Sequence, residues 1–124
     1  MRKPEDVVDA MIAACNARDI ESALACFDED VFYHNVPLEP VTGHAGVRAV
    51  LEPFLGAAQE VDWVVHKSVS NGVDCVMNER TDRFLMPKGW AEMPVMGVFE
   101  VKDGKISAWR DYFDLAAAKP LLEG

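Results

Sequence analysis

The stretch VFEVKDGKISAWRDYF, from Val98 to Phe113, decides the fold of this 124-residue chain. Apolar and polar residues alternate on both sides of Asp103-Gly104, a dipeptide typical of the tight turn of a β-hairpin. Further β-rich runs precede it, separated by turn signals at Asn71-Gly72 and around Lys88-Gly89. The second half of the chain is therefore predicted to form four consecutive strands of one sheet.

The first half of the chain shows helical spacing instead. Apolar residues after Pro4 recur every three to four positions, Asp19 can cap a short second helix, and a third helical pattern contains Pro53. Because a proline ring removes a backbone donor, we expect a kink or an early stop there. One strand, Val31 to Val36, separates the second and third helices. The order α-α-β-α-β-β-β-β predicts an α+β fold, in which a curved, mostly antiparallel sheet packs on three helices of the N-terminal half in a single domain over residues 1–124.

Charge and composition exclude some classes of binding partner. The chain carries 12 Lys and Arg against 21 Asp and Glu, a net charge of −9, and its pI is about 4.7. Such a charge repels a phosphate backbone, so we expect no nucleic-acid partner. No 18 apolar residues run together, so no membrane span is expected either. The cysteines, Cys15, Cys26 and Cys75, are odd in number and form no CxxC pair, which favours reduced thiols and a cytoplasmic location.

Charged residues fall on a strand face that should be inward. Alternate side chains of a strand share a face, so Arg80 and Asp82 lie with Val76 and Met86, which are apolar. An unpaired charge on the inside of a sheet would cost several kcal/mol. The two side chains are therefore predicted to pair with each other or with further polar groups.

Two other strands carry polar groups on a plausible inward face. Asp111 shares its face with the aromatic residue Trp109, and Tyr33 and Asn35 share a face of the first strand. The three strands could bring these groups together in one site. They could equally hold separate rim residues or one structural ion pair, and alternation alone does not decide between these interpretations.

The stretches YHNVPL, NERTDRF and MGVFEVKDGKISAWRDYFDL, in this order, resemble the limonene-1,2-epoxide hydrolase family, part of the wider SnoaL-like or NTF2-like fold. The resemblance spans nearly the whole chain and implies a mixed sheet curved into a cone. It also implies catalytic roles for five residues. Tyr33 and Asn35 would hold a water, Asp111 would activate it as a base, Asp82 would be the acid, and Arg80 would bridge the two carboxylates.

The resemblance implies a one-step reaction of water with a small or medium lipophilic epoxide, giving a vicinal diol without any cofactor or metal. The spacing of His34, His44 and His66 does not suggest metal ligands either. The resemblance further implies a homodimer formed through the outer face of the sheet, where Met77 and Tyr112 could lie with Leu85.

Two other functions remain open at this point. One is a ketosteroid-isomerase-like or polyketide-cyclase-like enzyme, in which an aspartate removes a proton from carbon. Such an enzyme would need a base and oxyanion donors but no water-holding pair. The other is a ligand-binding module without catalytic activity, in which the polar set is structural.

Overall fold

A computed structural model describes residues 2–122 of the chain. The fold is α+β, as predicted, with a six-stranded sheet and three helices in the N-terminal half. In chain order the elements are α1 (Pro4–Asn16), α2 (Ile20–Leu24), β1 (Phe27–Asn35), β2 (Val41–Thr42), α3 (Gly43–Ala57), β3 (Glu60–Ser70), β4 (Cys75–Met86), β5 (Gly89–Lys102), β6 (Lys105–Tyr112) and α4 (Leu115–Leu122).

The sheet has the strand order β2-β1-β6-β5-β4-β3. Strands β3 to β6 form the predicted antiparallel meander, whereas β1 pairs with β6 in parallel, so the sheet is mixed and mostly antiparallel. At the last hairpin Lys102 pairs with Lys105, leaving Asp103 and Gly104 as the turn, with φ of 52° and 75°. Positive φ at both central residues is the requirement of the type I′ turn that this dipeptide predicts.

Helices cover the inner face of the sheet. The buried face of α1 includes Val7, Met11 and Cys15, which join the apolar core between the helices and the strands. Asp19 caps α2 as predicted, because its carboxylate accepts a hydrogen bond from the Ser22 N–H at 3.1 Å. Within residues 2–122, every helix is too short or too polar to cross a bilayer.

Of the two outcomes expected at Pro53, a kink or an early stop, the early stop is wrong. Helix α3 continues through this residue to Ala57, held by buried Val47, Leu51 and Leu55. Pro53 withholds its own N–H and its ring crowds the carbonyl of Ala49, and the apolar contacts on either side of it offset this cost.

Strand β2 and helix α4 were not anticipated. Alternation of apolar and polar residues continues from β6 to Leu115, but the strand ends at Tyr112 and Leu115 is an exposed residue at the start of α4. The carboxylate of Asp114 accepts a hydrogen bond from the Ala116 N–H at 2.9 Å, which satisfies one of the free donors of the first helical turn. Asp114 therefore starts a helix, and α4 places its apolar side over the open end of the sheet.

Candidate active site

Strand β4 alternates between buried and partly exposed residues along its length. Asn78, Arg80 and Asp82 all point inward, and each is at most 3% exposed. A buried charge of this kind is tolerated only when hydrogen bonds and an opposite charge replace its water.

Arg80 is at the centre of the polar cluster. Its Nε and Nη2 donate to the two oxygens of Asp82 at 3.0 and 3.1 Å, a bidentate pair. Nη2 also donates to Asp111 Oδ2 at 2.7 Å, and Nη1 donates to Asn78 Oδ1 at 2.9 Å. One guanidinium thus bridges two carboxylates from two different strands. Its flat faces lie near aromatic rings, at 5.6 Å from the ring centre of Trp63 and 5.8 Å from that of Phe99.

Asp111 is held from its own strand as well. The Trp109 indole Nε1 donates to Asp111 Oδ1 at 2.7 Å, so each oxygen of this carboxylate has a separate donor. The ring of Trp109 is fully buried and stacks on Tyr33, with ring centres 4.3 Å apart. This contact fixes the relative positions of β6 and β1.

The parallel pairing of β1 with β6 brings the remaining two predicted residues to the cluster. Asn35 is the register partner of Asp111, and Tyr33 is the partner of Trp109. The Tyr33 phenol is buried, and both Tyr33 and Asn35 line the same cavity as Asp111. All five residues singled out from the sequence therefore lie in one region of the inner sheet face.

Burial and neighbouring charges determine which residues of the cluster are protonated. Burial raises the pKa of Asp82 to about 6, against the lowering effect of Arg80 and with a further rise from Asp111. Burial alone would lower the pKa of Arg80, but the charges of Asp111 and Asp82 raise it above its usual value, so the guanidinium stays charged. Burial also raises the pKa of Tyr33 well above its usual value, and the Asp111 charge adds to this effect. The phenol therefore stays protonated and able to donate.

A largely apolar cavity of about 70 Å³ opens beside these groups. Its polar lining consists of Tyr33, Asn35, Asp82 and Asp111. The apolar lining comes from the helices, the strand ends and α4: Leu38, Val50, Phe54, Trp63, Phe84, Met93, Phe113, Ala118, Leu121 and Leu122. Both carboxylates thus face a space that excludes most water and accepts apolar groups.

Several methionine, tryptophan and arginine residues lie outside the polar cluster. Among the methionines, Met93 lines the cavity, whereas Met77 and Met96 are exposed on the outer side. Trp90 is also largely exposed, and Arg83 stacks on its ring at 4.1 Å. Arg110 pairs with Glu100 on the outer face at 2.6 Å.

The histidines make ordinary structural contacts. The ring nitrogens of His34 and His44 lie 2.9 Å from the backbone carbonyl oxygens of Leu38 and Phe27, and that of His66 lies 2.8 Å from the Thr81 hydroxyl. Across residues 2–122, there is no group of three or more His, Cys, Asp or Glu side chains arranged to hold a metal.

Two residues of the site were missed from the sequence. Asn78 shares the inward face of Arg80 and lies two positions before it, so alternation could have identified it. Trp63 lies opposite Asp82 in the β3–β4 register and lines the cavity. The pairing of Trp63 with Asp82 joins two different strands, so the sequence around Trp63 gives no sign of it.

Residues 2–119 match the family model of the limonene-1,2-epoxide hydrolase catalytic domain. The chain belongs to the limonene-1,2-epoxide hydrolase family. It is also 32% identical, over 118 residues, to epoxide hydrolase EphG of Mycobacterium tuberculosis (strain ATCC 25618 / H37Rv), an alignment that covers 94% of this chain and 78% of that protein.

Solved structures agree with this membership. A limonene-1,2-epoxide hydrolase-like epoxide hydrolase from M. tuberculosis superposes with a TM-score of 0.80 at 32% identity, covering 96% of this chain and 89% of the other. TerC, co-crystallized with polyporic acid, superposes with a TM-score of 0.81 at 22% identity and 98% coverage of both chains. At that identity the likeness shows the fold alone. The epoxide hydrolase family thus shares its fold with other NTF2-like proteins, and the activity has to be argued from the site.

Proposed function

We propose that this chain hydrolyses a small or medium lipophilic epoxide to a vicinal diol in one step, without a cofactor. The observation that carries the proposal is the guanidinium of Arg80, which bridges Asp82 and Asp111 on the wall of an apolar cavity. Opening an epoxide requires a base for water and an acid for the oxygen that leaves carbon. Two carboxylates on one arginine supply both, provided that one is protonated and the other ionised.

The geometry supports a different role for each carboxylate. Asp82 has the raised pKa of a buried carboxyl group, which favours the protonated form and hence the role of acid. Asp111 accepts hydrogen bonds at both oxygens, from Trp109 and Arg80, which suits an ionised carboxylate. We assign Asp111 as the base.

In the proposed step Asp111 takes a proton from a water held by Tyr33 and Asn35. The water oxygen forms a bond to one epoxide carbon while the bond between that carbon and the epoxide oxygen breaks. Asp82 gives its proton to the released oxygen, which becomes the second hydroxyl of the diol. After this step Asp111 is protonated and Asp82 ionised, so transfer of one proton from the first to the second restores the site. No covalent ester forms, because the nucleophile is water rather than a carboxylate.

The cavity supports a lipophilic substrate. Its apolar lining would be costly for a charged or strongly polar molecule to enter, and its polar groups are confined to the side where the carboxylates lie. Residues of α4 close one side of it, so Leu121 and Leu122 are proposed to contact the hydrocarbon part of the substrate.

The isomerase-like alternative accounts for fewer of the observed contacts. Removal of a proton from carbon needs one base, and it gives no reason for Arg80 to bind a second carboxylate or for Tyr33 and Asn35 to adjoin Asp111. A binding module without turnover gives no reason for two carboxylates, bridged by one arginine, to face an apolar cavity.

The test is hydrolysis of terpene, cyclohexene and styrene oxides in water enriched in oxygen-18, followed by single-turnover mass spectrometry. One-step attack by water places the label in the diol during the first turnover. Asp111→Asn is expected to abolish it, whereas Asp114→Asn is the matched control, because Asp114 lies outside the cavity and asparagine can still cap α4. Failure of the wild type to open any epoxide, or label-free diol in the first turnover, would refute the proposal.

We also propose that the chain acts in the cytoplasm as a homodimer through the outer sheet face. Met77 and Tyr112 are exposed there, and Leu85 is partly exposed. Light scattering at micromolar concentration would give twice the chain mass, and a mass equal to one chain would contradict the dimer.

A further inference from the structure

Four register partners form a row across the inner face of the sheet. Asn78 on β4 pairs with Gly97 on β5, Gly97 pairs with Asp111 on β6, and Asp111 pairs with Asn35 on β1. Three members of the row bring polar side chains to the site. Gly97, in the middle, brings none.

The backbone of Gly97 does not explain why a glycine is there. Gly43, Gly72, Gly89 and Gly104 have positive φ, which other residues rarely adopt, but Gly97 lies outside that range. Glycine is also unfavourable within a strand, because it has no side chain to pack and loses more backbone entropy on folding. A requirement for empty space is the remaining explanation.

The space above Gly97 is occupied by the arginine bridge. A Cβ at this position would lie 2.6 Å from Arg80 Nη1, 2.7 Å from Asp111 Oδ1 and 3.2 Å from Asn78 Oδ1. The first two distances are shorter than any ordinary carbon contact. On a surface, the ends of such side chains could move aside at small cost.

At this site the three atoms are not free to move. Arg80 Nη1 is bonded to Asn78 Oδ1, and the same guanidinium is bonded to both carboxylates. Asp111 Oδ1 accepts from the Trp109 indole. Any displacement that admitted a methyl group at position 97 would lengthen at least one of these buried hydrogen bonds.

We propose that Gly97 is a positioning residue, whose missing side chain lets Arg80 reach Asp111 over the floor of the site. Its effect on catalysis rests on the proposed hydrolase activity, whereas its effect on the bridge does not. Gly97 does not touch the reacting atoms and acts only through Arg80 and Asp111.

The first experiment compares Gly97→Ala with Gly56→Ala. Gly56 is a matched control, because it also has an ordinary φ and an added Cβ there meets no described atom within 4 Å. We expect Gly97→Ala to lower kcat roughly 100-fold, the loss typical of a misplacement of about 1 Å, with a much smaller change in KM. At least one limb of its pH profile should move to higher pH, because a carboxylate that loses Arg80 binds its proton more tightly. An unchanged kcat and pH profile would overturn the inference.

The second experiment needs no substrate, so it separates this inference from the proposed function. Gly97→Ala is made in the wild type and in Asp111→Ala, and the Tm of all four proteins is measured. In Asp111→Ala the nearest carboxylate oxygen is gone and the guanidinium has room to shift. The loss of Tm, roughly 5 °C or more in the wild type, should fall by at least half in that background. Recovery of folding in the double variant, should Gly97→Ala alone not fold, would also support the inference. An equal loss in both backgrounds, or failure of both to fold, would overturn it, even if the wild type hydrolyses no epoxide.

Discussion

The indole N–H of Trp109 and the carboxylate of Asp111 are joined by a hydrogen bond of 2.7 Å, although the two residues lie on one strand face, two positions apart. The bond leaves the other oxygen of Asp111 to Arg80 and fixes the orientation of the carboxylate toward the cavity. The ring itself stacks on Tyr33, so one side chain orients the proposed base and supports one of the two residues proposed to hold water.

Trp109→Phe tests this orientation, because phenylalanine keeps an aromatic ring and removes the donor. A hydrogen bond to a charged group contributes about 1.5–3 kcal/mol, so kcat should fall roughly 10- to 100-fold. Steady-state kinetics on the epoxide that the wild type hydrolyses fastest measures this loss in kcat. Trp90→Phe is the control, because this tryptophan is not among the residues that line the cavity. Equal losses in both variants would show that the Trp109 hydrogen bond has no special role.

Replacing Arg80 by Met should destabilise the protein strongly at neutral pH. Two buried carboxylates would lose their common partner, and a buried charge left unpaired costs about 3–5 kcal/mol. Urea unfolding measures the loss, which should shrink at pH 5 because protonation removes the unpaired charge. A cost independent of pH would mean that lost packing, not charge, dominates. Arg48→Met, at an exposed ion pair that solvent screens, should destabilise the protein far less.

The pH dependence follows from the raised pKa of Asp82. If its protonated form is the acid, kcat/KM should be lost as pH rises through about 6, tenfold per unit on the alkaline side. Rates measured from pH 4 to 9 test this, and a constant rate up to pH 8 would contradict the role of acid.

Stability should change in the same direction as this activity. The folded-state pKa of Asp82, about 6, lies above the unfolded value of 3.8, so the folded state binds the proton more tightly. The resulting stabilisation is complete below the unfolded value and is lost as pH rises through the folded one. Asp82→Asn should remove this part of the pH dependence of unfolding, whereas Asp62→Asn, at a partly exposed ion pair, should leave it.

Asn78→Ala should weaken the site without removing any of the five predicted residues. Its Oδ1 accepts from Arg80 Nη1, and the substitution leaves a buried donor unpaired, at a cost of about 1–3 kcal/mol. Thermal unfolding and kcat should both decline. Glu79→Ala is the control on the exposed face of the same strand, and a loss as large there would argue against a specific role for Asn78.

The inward faces of the strands could be predicted from alternation alone. Arg80, Asp82 and Asp111 are buried because apolar neighbours of the same parity fix which face is inward, and the turn dipeptides fix the order of the strands. The convergence of these groups with Tyr33 and Asn35 could not be predicted in this way, because it depends on which strand lies beside β6. That information entered from the family resemblance.

Other features depend on the three-dimensional arrangement. Asp114 and Leu115 continue the alternation of β6, yet the chain turns into α4 at that point because Asp114 caps the helix. Gly97 resembles any glycine in the sequence, and its importance is visible only from the atoms above it. At Asp114 a helix cap overrides the local alternation. At Gly97 the deciding neighbours are distant along the chain.

The parallel pair of β1 and β6 has a consequence for folding. Tyr33 and Asn35 belong to the first strand, while Trp109 and Asp111 belong to the last, so the two halves of the site are separated by nearly all of the intervening chain. Contacts between segments so distant in sequence form slowly, because the loop between them must close first. A nascent chain that has not yet released β6 therefore holds Arg80 without one of its two carboxylates. During folding, the proposed activity should therefore appear in one late step, when β6 pairs with β1, and should not increase gradually.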